Sequence, residues 1–247
     1  MEFVELVNES GIAWIRMNRP GRLNAFGGEM RRDLAAAFRT FDASPDMHVA
    51  VLVGAGTSFC AGRDMKEEAQ GGGRVNVTEP SDDRLNRYHV LDTTKPLIAA
   101  VHGYAIGAGF GLTLGADYRI ATEDAQFAYT EIATGVPGPW DLANYQMIPW
   151  ALALEIALLG RRVPPSRLQA AGLLNEVVAP GQHEIRAREV AQEFLAQPQD
   201  LLRATKALMI KGQPRPTPEA IAYRAQIGRE LRDSPSRAKA IARFAKA

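Results

Sequence analysis

The sequence predicts an α/β fold in which a sheet with its crossover helices comes first and a helical region follows. Three observations predict it. Residues 49–53 and 97–101 are uninterrupted apolar runs of strand length, the mark of strands covered on both faces. Each run feeds a glycine-bearing turn, Gly54-Ala55-Gly56 after the first and Gly103 to Gly111 after the second, and the second turn opens a helix. From Ala151 onward the apolar spacing becomes helical almost to the last residue.

Taken in order, residues 3–7 and 12–17 are rich in branched and aromatic side chains and flank Asn8-Glu9-Ser10-Gly11, which predicts a hairpin closed by Asn18-Arg19-Pro20. Residues 28–43 set Met30, Leu34, Ala37, Phe38 and Phe41 at helical spacing, and Ser44-Pro45 stops that helix. After the strand at 49–53, residues 58–66 combine small side chains with Arg63, Asp64 and Lys66, a loop in which backbone can approach a ligand under a charged rim. Residues 70–80, with three consecutive glycines, read as a mobile loop and 85–91 as a short helix. The strand at 97–101 leads through the glycine turn into a helix ending near Ala116. Residues 118–121 and 126–129 then form a strand pair around Thr122-Glu123-Asp124. Helices follow over 151–159, 166–171, 184–197, 201–211, 218–232 and 236–245, interrupted by one strand at 176–178. The division expected is a core over 1–200 and a helical C-terminal region over 201–247.

Composition narrows the function. A chain of 247 residues with a formal charge of +1 and interspersed signs has no basic face for nucleic acid, so its ligands should be small. The single cysteine, Cys60, and four scattered histidines assemble neither a disulfide framework nor a thiolate-rich metal site. The first residues lack a signal peptide's basic start and apolar core, and no apolar run is long enough to span a bilayer, so a soluble cytoplasmic protein is expected.

The chemistry concentrates between Lys95 and Glu131. An apolar strand running through a glycine turn into a helix leaves unpaired N–H groups at the helix start, where the dipole also favours negative charge. A second such turn ends at Gly62-Arg63. If the two parent strands are neighbours, donors from both turns can converge on one oxygen and stabilise an enolate or a tetrahedral oxyanion, each donor being worth about 3 kcal/mol of barrier. Glu131, at the end of the following strand, supplies a base for a proton next to that charge. A dinucleotide fingerprint is the competing reading of Gly107, Gly109 and Gly111, but G-x-G-x-x-G would require glycine where Leu112 stands, and no G-K-[ST] phosphate loop occurs.

Five ordered stretches carry a family resemblance over nearly the whole chain. Asn18-Arg19-Pro20-Gly21-Arg22-Leu23-Asn24-Ala25 resembles an N-R-P-x-x-x-N-A motif, and Phe59-Cys60-Ala61-Gly62-Arg63-Asp64-Met65-Lys66 resembles F-x-A-G-x-D-[ILM]-K. Residues 95–111, 116–121 and 170–178 add three more. Together they resemble the enoyl-CoA hydratase/isomerase (crotonase) superfamily. The resemblance implies a ClpP/crotonase-like spiral of β-β-α units, a C-terminal helical trimerisation region, and homotrimers or hexamers built as dimers of trimers. It also implies an acyl-CoA thioester substrate with no cofactor beyond the coenzyme A that the substrate carries. The oxyanion donors would be the backbone N–H groups of Arg63 and Ala108. Arg22, Ala61, Asp64, Met65 and Lys66 would lie along the CoA, Gly111 and Trp140 at the acyl end, and Glu131 would be the catalytic acid/base.

One departure from the family pattern bears on the reaction. Hydratases of the family carry two glutamates that hold and activate a water; the first position falls on Gly111 and only the second is met, by Glu131. Single-base proton transfer is therefore the leading expectation, as double-bond isomerisation or hydration of an enoyl-CoA. The alternatives are a hydroxycinnamoyl-CoA-type hydratase-lyase, C–C or thioester hydrolysis on the same fold, and a non-catalytic acyl-CoA binder. Asp141 is a helix cap or a second acid, His102 a satisfied core histidine, and His89, Tyr88 and Tyr145 are pocket or core residues.

Overall fold

The computed structural model describes residues 1–69, 93–135, 148–212 and 217–245. Six strands form one sheet in the order β1-β2-β3-β4-β6-β8: β1 (Val4–Glu9), β2 (Ile12–Met17), β3 (Val49–Gly54), β4 (Leu97–Val101), β6 (Tyr118–Thr122) and β8 (Glu176–Val178). The hairpin β1–β2 is antiparallel and every later pairing is parallel. Helices lie on both faces, which explains the unbroken apolar runs. Ala13, Ile15, Met17, Ala50 and Leu52 face α1 (Gly28–Ala43) and α3 (Ala108–Leu114), whereas Ile12, Trp14, Val49, Val51, Val53, Ile98 and Ile120 face α6 (His183–Leu195). The hairpin, α1 and the late helices occupy the segments their spacing predicts. Those late helices are α4 (Trp150–Leu159), α5 (Pro165–Ala170), α6, α7 (Gln199–Gly212), α8 (Pro218–Glu230) and α9 (Pro235–Ala245).

The expected pairing of residues 118–121 with 126–129 is not what forms. Both edges of β6 are taken, by β4 and by β8, so no edge is left for the next strand. The turn closed by Ala125 N–H on the Thr122 carbonyl (3.0 Å) instead carries the chain off the sheet, and Gln126 N–H donates to the Gly103 carbonyl (2.7 Å). Residues Gln126–Ala128 become β7, which pairs in parallel with β5 (Tyr104–Ile106) in a separate two-stranded sheet. β5 lies inside the glycine-rich stretch, where three residues carry no readable alternation.

Buried cations tie the late helices to the core. Lys95 Nζ donates to the carbonyls of Phe41 and Ser44 (both 2.6 Å), filling acceptors left at the end of α1. Lys206 on α7 donates to Asp117 Oδ2 (2.6 Å) and to the Lys95 carbonyl (2.7 Å), and Asp117 Oδ2 also accepts from Leu97 N–H at the start of β4 (2.7 Å). Burial lowers the affinity of the Lys206 amine for its proton while the Asp117 carboxylate opposes that shift. At the other end of the region, α9 packs on α2 (Met65–Ala69) and on the 3-10 turn Ile132–Thr134, the segments that follow Arg63 and Glu131. No described helix is long and apolar enough to cross a membrane.

Candidate active site

Two loops leave the sheet at the carboxyl ends of β3 and β4, and the backbone stitches them together. Cys60 N–H donates to the Tyr104 carbonyl (2.7 Å) and Ile106 N–H to the Cys60 carbonyl (3.0 Å), so residues 60–62 run beside β5. On the far side Ala61 N–H donates to the Leu23 carbonyl (2.9 Å) and Phe26 N–H to the Gly62 carbonyl (2.7 Å). Asn24 locks that third segment in place. Its Oδ1 accepts from Arg19 N–H (2.8 Å) and its Nδ2 donates to the carbonyls of Ala55 (2.9 Å) and Ser58 (2.7 Å), with its own backbone left-handed at φ 54°. This buried amide explains, in physical terms, the second asparagine of the Asn18 to Ala25 stretch; it is a linking residue that reasoning about chemistry alone passed over.

Gly62 must be glycine. It sits at φ 91°, and a Cβ would meet the Ile106 carbonyl oxygen at 2.6 Å and the Ala108 nitrogen at 3.7 Å. Backbone contact between the loops thus sets Gly62, just before Arg63, against Ile106 and the start of α3 at Ala108. Ala108 opens α3, so its N–H is among those without a carbonyl one turn back.

Glu131 is brought to the same place from the other side. β7 is held to the loop by Gly107 N–H on the Ala128 carbonyl (2.9 Å), and three residues later the carboxylate lies against Gly107. A Cβ on Gly107, at φ 52°, would stand 2.8 Å from Glu131 Oε1. Oε2 is enclosed and has no hydrogen-bonding partner among the described residues. Burial pushes the carboxyl pKa from 4.5 up to about 7, overriding the opposing charge of Arg63 and the backbone N–H groups of Glu131 and Thr130. The group is therefore divided between its protonated and ionised forms near neutral pH.

The remaining expected residues separate. Arg22, in the 3-10 turn Pro20–Arg22, and Lys66 on α2 are exposed, while Ala61, Arg63 and Met65 are half-buried between them and the loops. Asp64 departs from the expectation that it contacts the CoA. Its side chain is 4% exposed, Oδ2 accepts from Arg19 Nη1 (2.8 Å), and Oδ1 caps the amides of Lys66 and Glu67 (both 3.1 Å). Both oxygens are engaged internally, so Asp64 builds the short helix α2 rather than a rim. Gly111 lies buried one turn into α3, its N–H on the Gly107 carbonyl (2.9 Å). Trp140, Asp141, Tyr88, His89 and Tyr145, and the expected loop at 70–80 and helix at 85–91, lie outside the described residues. His102 is only half satisfied among the described residues: Nε2 meets the Gly56 carbonyl at 3.0 Å, while Nδ1 is enclosed without a partner there.

Comparison with known proteins decides the family. The sequence profile of the enoyl-CoA hydratase/isomerase family matches residues 7–247. The chain belongs to that family. Among its relatives, the (E)-benzylidenesuccinyl-CoA hydratase of Thauera aromatica is 31% identical over 98% of this chain and 95% of its own length. The carnitinyl-CoA dehydratase of Salmonella typhi is 31% identical over 90% of this chain and 85% of its own. Among solved structures, the carnitinyl-CoA hydratase of Mycobacterium avium superposes with a TM-score of 0.88 at 26% identity, covering 100% of this chain and 96% of that one. The enoyl-CoA hydratase of Mycobacterium tuberculosis H37Rv gives 0.81 at 29% identity, covering 94% and 100%. The fold of this family member is accordingly the α/β crotonase fold.

Proposed function

We propose that this enzyme forms and quenches a thioester enolate with Glu131 as its single acid/base. The thioester oxygen sits between the N–H groups of Arg63 and Ala108, which strengthen their hold as negative charge develops there. Glu131 takes a proton from Cα of a 3-enoyl thioester. The electron pair moves through the diene to the thioester oxygen, and on its return Glu131 delivers the same proton to Cγ, leaving the 2-enoyl isomer. Atoms and electrons balance with no cofactor besides the coenzyme A of the substrate. Arg22 and Lys66 flank its phosphates, Ala61 and Met65 line its path, and the acyl end extends past Gly111.

The observation that supports this reading is the position and state of Glu131: enclosed, unpartnered at Oε2, poised near neutrality and pressed on the residue before Ala108. Gly111 contributes no second carboxylate to hold a water. A second reading, hydration or dehydration across the Cα–Cβ bond by Glu131 alone, has support in the hydratase and dehydratase names of the relatives at 31% identity. Matched 3-enoyl and 2-enoyl thioesters, with products resolved by chromatography against both isomers and then identified by mass, separate the two. Isomer of unchanged mass supports proton transfer, a gain of one water supports hydration, and free acid with CoA or a shortened acyl chain contradicts both. Wild-type turnover that persists in Glu131→Gln removes the role assigned to the carboxylate.

A trimer, or a dimer of trimers, completes the proposal. Trp150 (64% exposed), Leu154 and Leu158 (60%) recur at four-residue spacing along one face of α4, an apolar stripe suited to a neighbouring copy.

A further inference from the structure

A cavity of about 330 Å³ opens at the carboxyl ends of β2, β3, β4 and β6, beneath the start of α6. It contains Arg16, His102, Thr122, Asp124, His183 and Glu184, none of which belongs to the Glu131 site. β2 and β4 lead to α1 and α3 on one face of the sheet, whereas β8 leads to α6 on the other, so the crevice lies between the carboxyl edge of the sheet and the start of α6.

Three side chains in this crevice carry hydrogen-bonding capacity that the described residues leave unused. Thr122 is 1% exposed with no partner for Oγ1 among them, and His183 is 8% exposed with neither ring nitrogen bonded to any of them. His102 stacks on His183 with ring centroids 4.4 Å apart. The Gly56 oxygen met by His102 Nε2 can only accept, so in the neutral ring Nε2 carries the proton and the enclosed Nδ1 is a bare lone pair in need of a donor. Burial and the neighbouring His102 hold His183 well below the usual histidine range, at about 4, so the His183 ring is neutral and offers one donor and one acceptor. α6 begins at His183 with no side-chain cap, leaving first-turn amides and the positive end of the dipole at the crevice.

The charges define the ligand further. Arg16 is held by Glu184 through two bonds (2.8 and 2.7 Å), and Asp124 adds a second carboxylate. No group of three His, Cys, Asp or Glu among the described residues is placed to hold a metal ion. The amides, the Thr122 hydroxyl and the His183 N–H call for an oxyanion. With Glu184 neutralised by Arg16, the Asp124 carboxylate and the imidazole lone pairs repel a fully ionised one, yet they accept a hydrogen bond from one that keeps an O–H.

We propose that this crevice is a second, non-catalytic site for a phosphate group that still carries a proton, its bare oxygens toward α6 and Thr122 and its O–H toward His102 Nδ1 or a carboxylate. Inorganic phosphate keeps a proton throughout the neutral range, whereas a phosphate monoester loses its last one above about pH 6. Sulfate has similar size and charge and no proton, which makes it the control.

The chain has four histidines, so ring Cε1–H resonances of the full-length protein report the site directly at constant ionic strength. Inorganic phosphate should shift the His102 and His183 signals saturably at about pH 7.5 while sulfate leaves them in place, and glycerol 3-phosphate should bind at about pH 5.5 and at least tenfold more weakly at 7.5. Thr122→Val should weaken phosphate by about tenfold. Equal shifts with sulfate, no saturable shift with phosphate, or monoester binding of equal strength at both pH values would overturn the proposal. The wild-type phosphate and sulfate titrations decide it even if the valine variant fails to fold, and neither outcome touches the role of Glu131.

Discussion

Replacing Glu131 by glutamine tests both halves of its assignment, because the substitution keeps the shape and removes the titration. With the folded pKa near 7 and the ordinary value at 4.5, holding the carboxylate ionised in its enclosure costs about 3 kcal/mol, an upper bound since part of the side chain meets solvent. The folded pKa lies above the unfolded one, so the fold prefers the protonated form. Stability from this group is fully present below pH 4.5 and is lost as pH rises through about 7. Glutamine is neutral throughout. Glu131→Gln should therefore match wild type at about pH 4.5 and exceed it at pH 9, by up to about 3 kcal/mol, or roughly 6–12 °C in Tm for a chain of this size. Thermal unfolding followed by circular dichroism at fixed protomer concentration reads the difference. In the same variant kcat should fall by about 10²- to 10⁴-fold. Wild-type kcat/KM should lose activity on an acidic limb centred near pH 7 instead of near 4.5, because the proton-accepting form must be present. A stability gap that stays constant from about pH 5 to 9 would refute the burial argument, and an acidic limb near 4.5 would refute the poise of the base.

Three other substitutions probe the framework. Gly107→Ala adds a Cβ 2.8 Å from Glu131 Oε1 at a left-handed position, and should cut kcat/KM at least about tenfold while far-UV circular dichroism stays native. Lys206→Met removes a buried cation that holds Asp117 and the Lys95 carbonyl, and urea unfolding should show a loss of about 1–3 kcal/mol. Leu158→Glu places charge on the exposed stripe of α4; light scattering should find smaller assemblies, with the monomer spectrum unchanged.

Much of this molecule is legible in its sequence, for identifiable reasons. Residues 49–53 and 97–101 read as buried strands because nothing polar interrupts them, and α1 was legible because its buried residues repeat on one face. The pairing of residues 118–129 was not legible: a turn between two short apolar segments says they are close in sequence, while the occupied edges of β6 decide where the second one goes. β5 and α2 escaped because three and five residues hold too little periodicity, and both are shaped by partners far along the chain, Cys60 for one and Arg19 for the other. Glu131 stood out through its motif, but its enclosure depends on Gly107, and only the folded chain shows a carboxylate against that glycine. Asp64 misled for a related reason. A charged residue in a loop of small residues reads as a rim, and nothing local reveals that Arg19 and the amides of α2 already fill its oxygens.

A crystal structure with a non-hydrolysable acyl-CoA thioester analogue tests the proposed mechanism most directly. It should place the carbonyl oxygen about 2.7–3.1 Å from both the Arg63 and the Ala108 nitrogens, with a Glu131 oxygen next to the adjacent carbon. An analogue whose carbonyl meets neither amide, or whose α-carbon faces away from Glu131, would contradict it.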